Sequence, residues 1–291
     1  MYAAEFSGKA STLASEDILT AYVFSLFRYL SSSKLPFKFL ERAKNIDGNL
    51  LSLTDPRLTG MDFWPRFRLP EGKKCREGDV LILVHDIAQG HIAILIEAKY
   101  KSGLSNHLPQ PSNKVEGYES GHQLADEYLG LMKGQLMSKD VLQQGIAHSN
   151  VRCILYVTAH HAFPFEDIKS AVDALRASED ACLTPEKDIY WLPWWHLYSL
   201  IDAELKDKST GYSSGEVNLL ADTRLALSMR GLRPFDPFRD LIAVEILDSL
   251  WTSSRLFTGI MDVPKYVTAF QRTLIDQQDQ SAGDSRRDER C

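Results

Sequence analysis

Residues 78–101 read GDVLILVHDIAQGHIAILIEAKYK, and the fold turns on how this stretch is read. It holds two apolar runs, Asp79–Val84 and His91–Tyr100, joined by a polar connection with Gly90 near its end. Both are rich in Val, Ile and Leu and too short for core helices, so the pattern predicts two strands of a hairpin. The second run ends Ile96-Glu97-Ala98-Lys99. Side chains two apart on a strand share a face, so Glu97 and Lys99 point the same way. In a hairpin Asp79, at the start of the first strand, comes near the end of the second. Two carboxylates and a lysine then converge at one end of a very apolar sheet. Buried charges are costly unless they are paired or hold a metal, which makes this cluster a candidate site. The alternative is a surface Glu97–Lys99 pair on an edge strand with Asp79 as a turn residue, and such pairs contribute little. The apolar lead-in to Glu97 argues for burial.

Upstream, Ser15 precedes Glu16-Asp17, and Ile18, Leu19, Tyr22, Val23, Leu26, Phe27 and Leu30 follow at helical spacing. This is a capped amphipathic helix ending near Ser31. An acid such as Glu16 in a first turn complements the helix dipole. Phe63–Arg68 is aromatic and predicts the first strand, at a sheet edge because of Pro65; Asp55-Pro56 and Gly60 read as turn signals before it. Downstream, a loop with Pro109 and Pro111 leads to a helix over 116–137, weakened by its glycines. Val151–Thr158 is a central strand, Phe165–Ser178 a helix, and Ile189–Leu192 a last strand running into a helix through Leu205. His122 reads as exposed or half-buried. His160 and His161, at a strand end, lack the spaced partners of a zinc site.

Asp79, with Glu97-Ala98-Lys99 eighteen residues later, resembles the PD-(D/E)xK signature of restriction-endonuclease-like nucleases, with Gly78 where that family usually has proline. The setting is similar too: an acid-bearing helix, a strand hairpin and a following helix, in the order of that superfamily's αβββαβ core. The resemblance spans residues 10–205 and implies an α/β fold, a mixed central sheet flanked by helices. It implies that Asp79 and Glu97 are metal ligands, the Ala98 carbonyl a third, and Lys99 the catalytic lysine. The superfamily's first core helix often carries a further acidic ligand, so Glu16 is either that ligand or only a helix-terminus acid. Gln123 and Tyr128 resemble the Q-x-x-x-Y element of exonuclease-type members, but the spacing is one residue longer. That turns Tyr128 away from Gln123 on a helix, so Gln123 alone is carried over and Tyr128 is read as core. Mg²⁺, with Mn²⁺ as the substitute, is the cofactor the resemblance implies. The activity implied is hydrolysis of DNA by the cleaving subunit of a bacterial defence or DNA-processing system. The alternative is a non-catalytic nucleic-acid-binding or scaffold subunit that keeps the fold.

At 291 residues the chain suits one large domain or a domain with an appendage. Residues 206–276 continue as a helical C-terminal section, with helices over 216–229, 239–252 and 265–275. The tail 277–291 is too polar to bury and reads as disordered. No run approaches the ~20 apolar residues of a membrane helix, and the N-terminal stretch lacks the pattern of a signal peptide. The four cysteines are scattered without a CxxC pair, which fits reduced thiols and a cytoplasmic protein.

The net charge of −6 is the wrong sign for gripping a polyanion by overall charge. A basic strip (Arg57, Arg66, Arg68, Lys73, Lys74, Arg76 and Lys101) flanks the hairpin, or these are solvated loop charges. The charge balance therefore predicts a partner that delivers DNA: a helicase, an ATPase or a second copy of the chain.

Overall fold

The computed structural model describes residues 16–69, 75–100, 122–137, 140–177, 183–207 and 209–234. In chain order these form α1 (Glu16–Phe24), α2 (Leu26–Tyr29), α3 (Lys34–Leu40), β1 (Lys44–Asn45), β2 (Arg57–Phe63), β3 (Arg66–Arg68), β4 (Cys75–Glu77), β5 (Val80–Asp86) and β6 (Gly90–Ala98). There follow α4 (Gln123–Lys133), β7 (Gln135–Leu136), α5 (Asp140–Ala147), β8 (Val151–Thr158), α6 (Phe165–Arg176), α7 (Pro185–Asp188), β9 (Ile189–Pro193), α8 (Trp195–Lys206) and α9 (Ser214–Met229).

The fold is mixed α/β. Among the described residues a central sheet runs β1-β9-β8-β6-β5-β2, and a smaller sheet runs β4-β3-β7. Strands β2, β5 and β6 form an antiparallel meander, with Val80 opposite Ile96 and Asp86 opposite Gly90. Strand β8 is parallel to β6, with Glu97 beside Tyr156, and β9 is parallel to β8. The hairpin turn is shaped by Asp86, whose Oδ1 accepts from the N–H groups of Ala88 and Gln89 at 2.9 Å each. Gly90 closes the turn at φ +77°, a left-handed conformation that favours glycine.

Residue alternation along β5 and β6 splits the apolar side chains between two cores. Val80, Ile82, Val84, Ile92, Ile94 and Ile96 face α1, α2, α3, α8 and α9. Leu81, Leu83, Ala93 and Leu95 face α4, α5 and α6. A sheet covered on both faces needs near-continuous apolar strands, which is why the hairpin lacks a polar side. Glu97 continues the odd-numbered row of β6 and so faces α4.

Three expectations from the sequence change. The strand that leads into the hairpin is β2, Arg57–Phe63, not 63–68, and the two-residue β1 comes before it. Strand β2 is an edge strand as expected, but the chain then turns at Trp64 (φ +53°) and Pro65, and Arg66–Arg68 joins the smaller sheet. Gly60 is no turn: it lies in β2 at a register shift, where a Cβ would meet Leu142 Cδ2 at 2.8 Å. The helix expected over 116–137 is Gln123–Lys133, while residues 101–121 lie outside the described residues.

Helix α9 lies beyond the boundary expected at 205/206 and packs with the core before it. Helix α9 opens with a capping box, Ser213 and Glu216 each bonding the other's backbone N–H. Glu216 Oε1 also accepts from the Ser31 N–H at 2.5 Å. Leu220, Leu227 and Leu232 are buried in the same core as Val80 and Phe24. Helix α9 is thus part of the folded unit, which closes at Phe235. The helices expected over 239–252 and 265–275 and the tail 277–291 lie outside the described residues.

Candidate active site

The site forms where β6 ends. Asp79 precedes β5 by one residue and is fixed from three directions. Its N–H donates to the Ile96 carbonyl at 3.1 Å, and its carbonyl accepts from the Trp64 N–H at 2.8 Å. Its side-chain Oδ2 accepts from the Ala98 N–H at 2.6 Å. Gly78, before it, stands where the resembled signature has proline. Its N–H donates to the Pro65 carbonyl at 3.0 Å, and a Cβ there would lie 2.7 Å from Leu95 Cδ1. Proline has neither the donor nor the room.

Glu16, Glu97, Lys99 and Gln123 are joined in one network, with Asp79 held beside it by the Ala98 N–H. Glu97 is 2% exposed, and its Oε1 is met by Lys99 Nζ at 2.5 Å and by Gln123 Nε2 at 2.6 Å. Lys99 Nζ also reaches Glu16 Oε1 at 3.3 Å. The other oxygen of Glu16 accepts from the Tyr100 N–H at 2.7 Å. Glu16 therefore does more than end a helix: from α1 it reaches the end of β6. The main chain of Lys99 is clamped as well, its N–H on the Val157 carbonyl at 2.7 Å and its carbonyl on Trp194 Nε1 at 3.1 Å. Ala98 is fully buried and enters through its N–H on Asp79.

One residue escaped sequence reading. Glu127, 1% exposed, accepts from Gln123 Nε2 through Oε1 at 3.0 Å, and its Oε2 is buried without a donor. It stands four residues after Gln123, on the same helical face. That spacing was the available signal. Tyr128 is core, as expected, with its hydroxyl on Asp188 Oδ2 at 2.8 Å. His122 is buried rather than half-exposed, and His160 and His161 lie exposed on the loop after β8.

The acids sit uneasily together. Burial first, and then the charge of Glu97, push the Asp79 carboxyl up to about 8. Burial raises Glu97 too, against the pull of Lys99, and raises Glu127 strongly. Burial alone would discharge Lys99, but the charge and hydrogen bond of Glu97, with Glu16 and Asp79, outweigh it. The ammonium is held above its ordinary value. Among the described residues no three His, Cys, Asp or Glu side chains group so as to hold a metal ion in this arrangement. Lys99 and Gln123 occupy the Glu97 oxygen, and the Ala98 N–H occupies an oxygen of Asp79.

No family model, curated protein or solved structure matches the chain.

The basic strip is partly spent. Arg66 pairs with Glu77 at 2.5 Å, and Arg76 with the fully buried Asp126 at 2.5 Å. Arg57 and Arg68 are exposed, while Lys73, Lys74 and Lys101 lie outside the described residues. Among the described residues no helix is long and apolar enough to cross a membrane. Cys75 and Cys153 are free thiols.

Proposed function

We propose that the chain is a metal-dependent nuclease hydrolysing phosphodiester bonds of DNA, the cleaving subunit of a bacterial defence or DNA-processing system. The observation that carries this reading is the convergence of Asp79, Glu97 and Lys99 at one strand end, with Glu16 and Gln123 brought to them from α1 and α4. The order of elements supports it: α1, the meander β2-β5-β6, then α4, then β8 parallel to β6. Leaving aside α2, α3, β1 and α5, this order resembles the αβββαβ core of the restriction-endonuclease-like superfamily, with β3, β4 and β7 forming a side sheet.

As they stand the acids are not grouped to hold a metal ion, so a hard divalent cation would have to displace Lys99 and Gln123 from the Glu97 oxygen. Three carboxylates (Glu16, Asp79 and Glu97) bear on one ammonium, and behind Glu97 the Glu127 carboxyl has one oxygen buried without a donor. Burial holds the Asp79 and Glu127 carboxyls toward their neutral forms, so a cation there would compete with protons, and oxygen ligands suit Mg²⁺ or Mn²⁺. Asp79, Glu97 and the Ala98 carbonyl would hold it, with Glu16 as a further ligand. When bound, such an ion lowers the pKa of a coordinated water and draws charge from phosphoryl oxygens.

The chain's own groups do the rest. Lys99 is held protonated, so it acts as a donor and a positive charge and not as a proton-accepting base. In that role it orients the attacking water and stabilises the charge that builds on the phosphate. Gln123 fixes the Glu97 carboxylate, and the Ala98 N–H fixes that of Asp79, so both acids are oriented in advance.

A non-catalytic binding or scaffold subunit is the second reading, favoured by the engagement of Lys99 with both Glu97 and Glu16 as a closed ion-pair network. The deciding experiment incubates linear, circular and single-stranded DNA, and RNA, with the purified chain and Mg²⁺ or a chelator. The nuclease reading expects divalent-dependent cleavage that Lys99→Ala reduces by ~10²–10³ or more. Wild-type turnover by Lys99→Ala refutes it, and an inert wild type that still binds DNA supports the scaffold. With a net charge of −6, and Arg66 and Arg76 committed to acids, delivery of DNA by a helicase, an ATPase or a second copy belongs to the same proposal.

A further inference from the structure

We infer that Arg42, Lys44 and His196 form a ledge that holds a backbone phosphate of the DNA strand, away from the bond being cut. The inference rests on the reading of DNA as the substrate and adds the side on which the strand leaves the site. Glu97, Tyr156, Trp191 and Lys44 stand opposite one another on the adjacent strands β6, β8, β9 and β1. Residues paired across a sheet share a face, so this row leads from Glu97 to Lys44 on the last strand of the sheet. Three strand spacings make the distance about 14 Å. Strands β6, β8 and β9 are parallel, so their C-terminal ends lie along one rim, where α/β sheets bind their ligands. Strand β1 runs the other way, which brings Arg42, two residues before Lys44, to the same rim.

Positive charge gathers there without an ion-paired acid. Lys44 Nζ lies over the rings of Trp191 and Phe163, 5.2 and 5.5 Å from their centroids, and the two rings meet edge to face at 5.6 Å. Two rings fix the ammonium and leave its charge in place. His196, in the first turn of α8, feels both cations: burial first, then the charges of Arg42 and Lys44, lower its imidazole to about 4. At neutral pH it is uncharged and keeps one N–H to donate. Among the described residues none of the three is ion-paired with an acid; Glu41 adjoins Arg42, and burial raises its carboxyl against the pull of Arg42 and Lys38. The ring of Trp195 lies 4.0 Å from that of His196, and its indole N–H is buried with no acceptor. The loop after β8, the strand between Glu97 and Trp191, is tied down by the His160 N–H on Thr158 Oγ1 at 3.3 Å and by Phe163 against Trp191. It carries His160 and His161 exposed. A chain with a net charge of −6 meets a polyanion where its cations are concentrated, and Arg66 and Arg76 are committed to acids. A guanidinium, an ammonium and an imidazole N–H are the donors that phosphate oxygens take.

The test measures binding of a labelled single strand and of the matching duplex to the full chain, by anisotropy, in a chelator, over a series of low salt concentrations. Arg42→Gln and Lys44→Met each remove one charge at little change in volume. Lys206→Met removes one at the other end of α8, where Lys206 pairs with Asp202. Each ledge variant should lower the slope of log affinity against log salt by about 0.7 on the single strand and about 0.9 on the duplex, while Lys206→Met leaves it unchanged. In cleavage the ledge variants should raise KM and keep kcat, a split that a folding defect does not give. Wild-type slopes in both ledge variants of a chain that cleaves overturn the inference and leave the nuclease reading standing. An equal fall for Lys206→Met also overturns it, because net charge and not place would then matter. So does a loss of inorganic phosphate binding with DNA binding untouched, which would make this a small-anion site. An inert wild type whose ledge variants still lose slope supports the ledge and refutes cleavage. A wild-type chain that binds no DNA even at low salt overturns the inference together with the reading beneath it.

Discussion

Replacing Asp79 with Asn should stabilise the metal-free protein, increasingly so as the pH rises. The Asp79 carboxyl is pushed up to about 8 from an ordinary 3.8, by burial first and then by the charge of Glu97. Between those values the folded chain keeps a proton that the unfolded chain has released. Stability therefore falls as the pH climbs through that window and levels off above it. At 1.36 kcal/mol per pH unit, the full displacement corresponds to roughly 6 kcal/mol. Removing Asp79 also lets Glu97 and Glu127 redistribute their protons, so about half of that, ~3 kcal/mol, is the expected difference between variant and wild type. Asn has the same shape, never ionises, and offers an amide oxygen to the Ala98 N–H that Asp79 now accepts. Urea unfolding from pH 4 to 9 in the presence of a chelator measures this. The two curves should meet near pH 4 and separate by pH 8.5, with Asn the more stable. Adding Mg²⁺ should then raise wild-type stability alone, by about 2.7 kcal/mol at a hundred times its Kd. Parallel pH curves, or an Asn variant that is less stable at pH 8.5, would refute the account of Asp79 as a buried acid awaiting a cation.

Glu16→Gln should weaken Mg²⁺ binding and cleavage with little change in melting temperature. If instead activity survives and only ~0.3–1 kcal/mol of stability is lost, Glu16 serves the helix terminus alone. A chain ending at Phe235 should fold and keep its intrinsic cleavage, whereas one ending at Lys206 should not fold. The shorter chain forfeits burial of Leu220, Leu227 and Leu232, roughly 6 kcal/mol together, which matches the whole stability of many domains; circular dichroism of the two truncations checks this. Labelled duplex should bind the isolated chain weakly at physiological salt and more tightly at low salt. Tight binding by a monomer at physiological salt would remove the need for a delivering partner.

The hairpin was legible because a strand buried on both faces has to be apolar almost throughout, and few other segments of this chain are. The candidate site was legible for the complementary reason: a charge closing such a strand needs a partner, and Glu97 has Lys99 while Asp79 has the Ala98 N–H. What escaped the sequence depends on contacts between distant segments. Strand β2 is half-exposed at an edge, so its pattern alternates weakly, and the chain leaves it through a left-handed tryptophan that no composition rule anticipates. Helix α9 carried its capping signal openly, Ser213 with Glu216 three residues on. Its place in the core is decided elsewhere, partly by the Ser31 N–H that the same glutamate accepts. Gly78 shows the limit from the other side. It stands where the resembled family usually has proline, and here the bond to Pro65 and the closeness of Leu95 favour a small residue with an N–H. A motif position can therefore change its residue while the job persists, provided the neighbours change what they ask of it. At Gly78 that job is to set Asp79 against the N–H of Ala98.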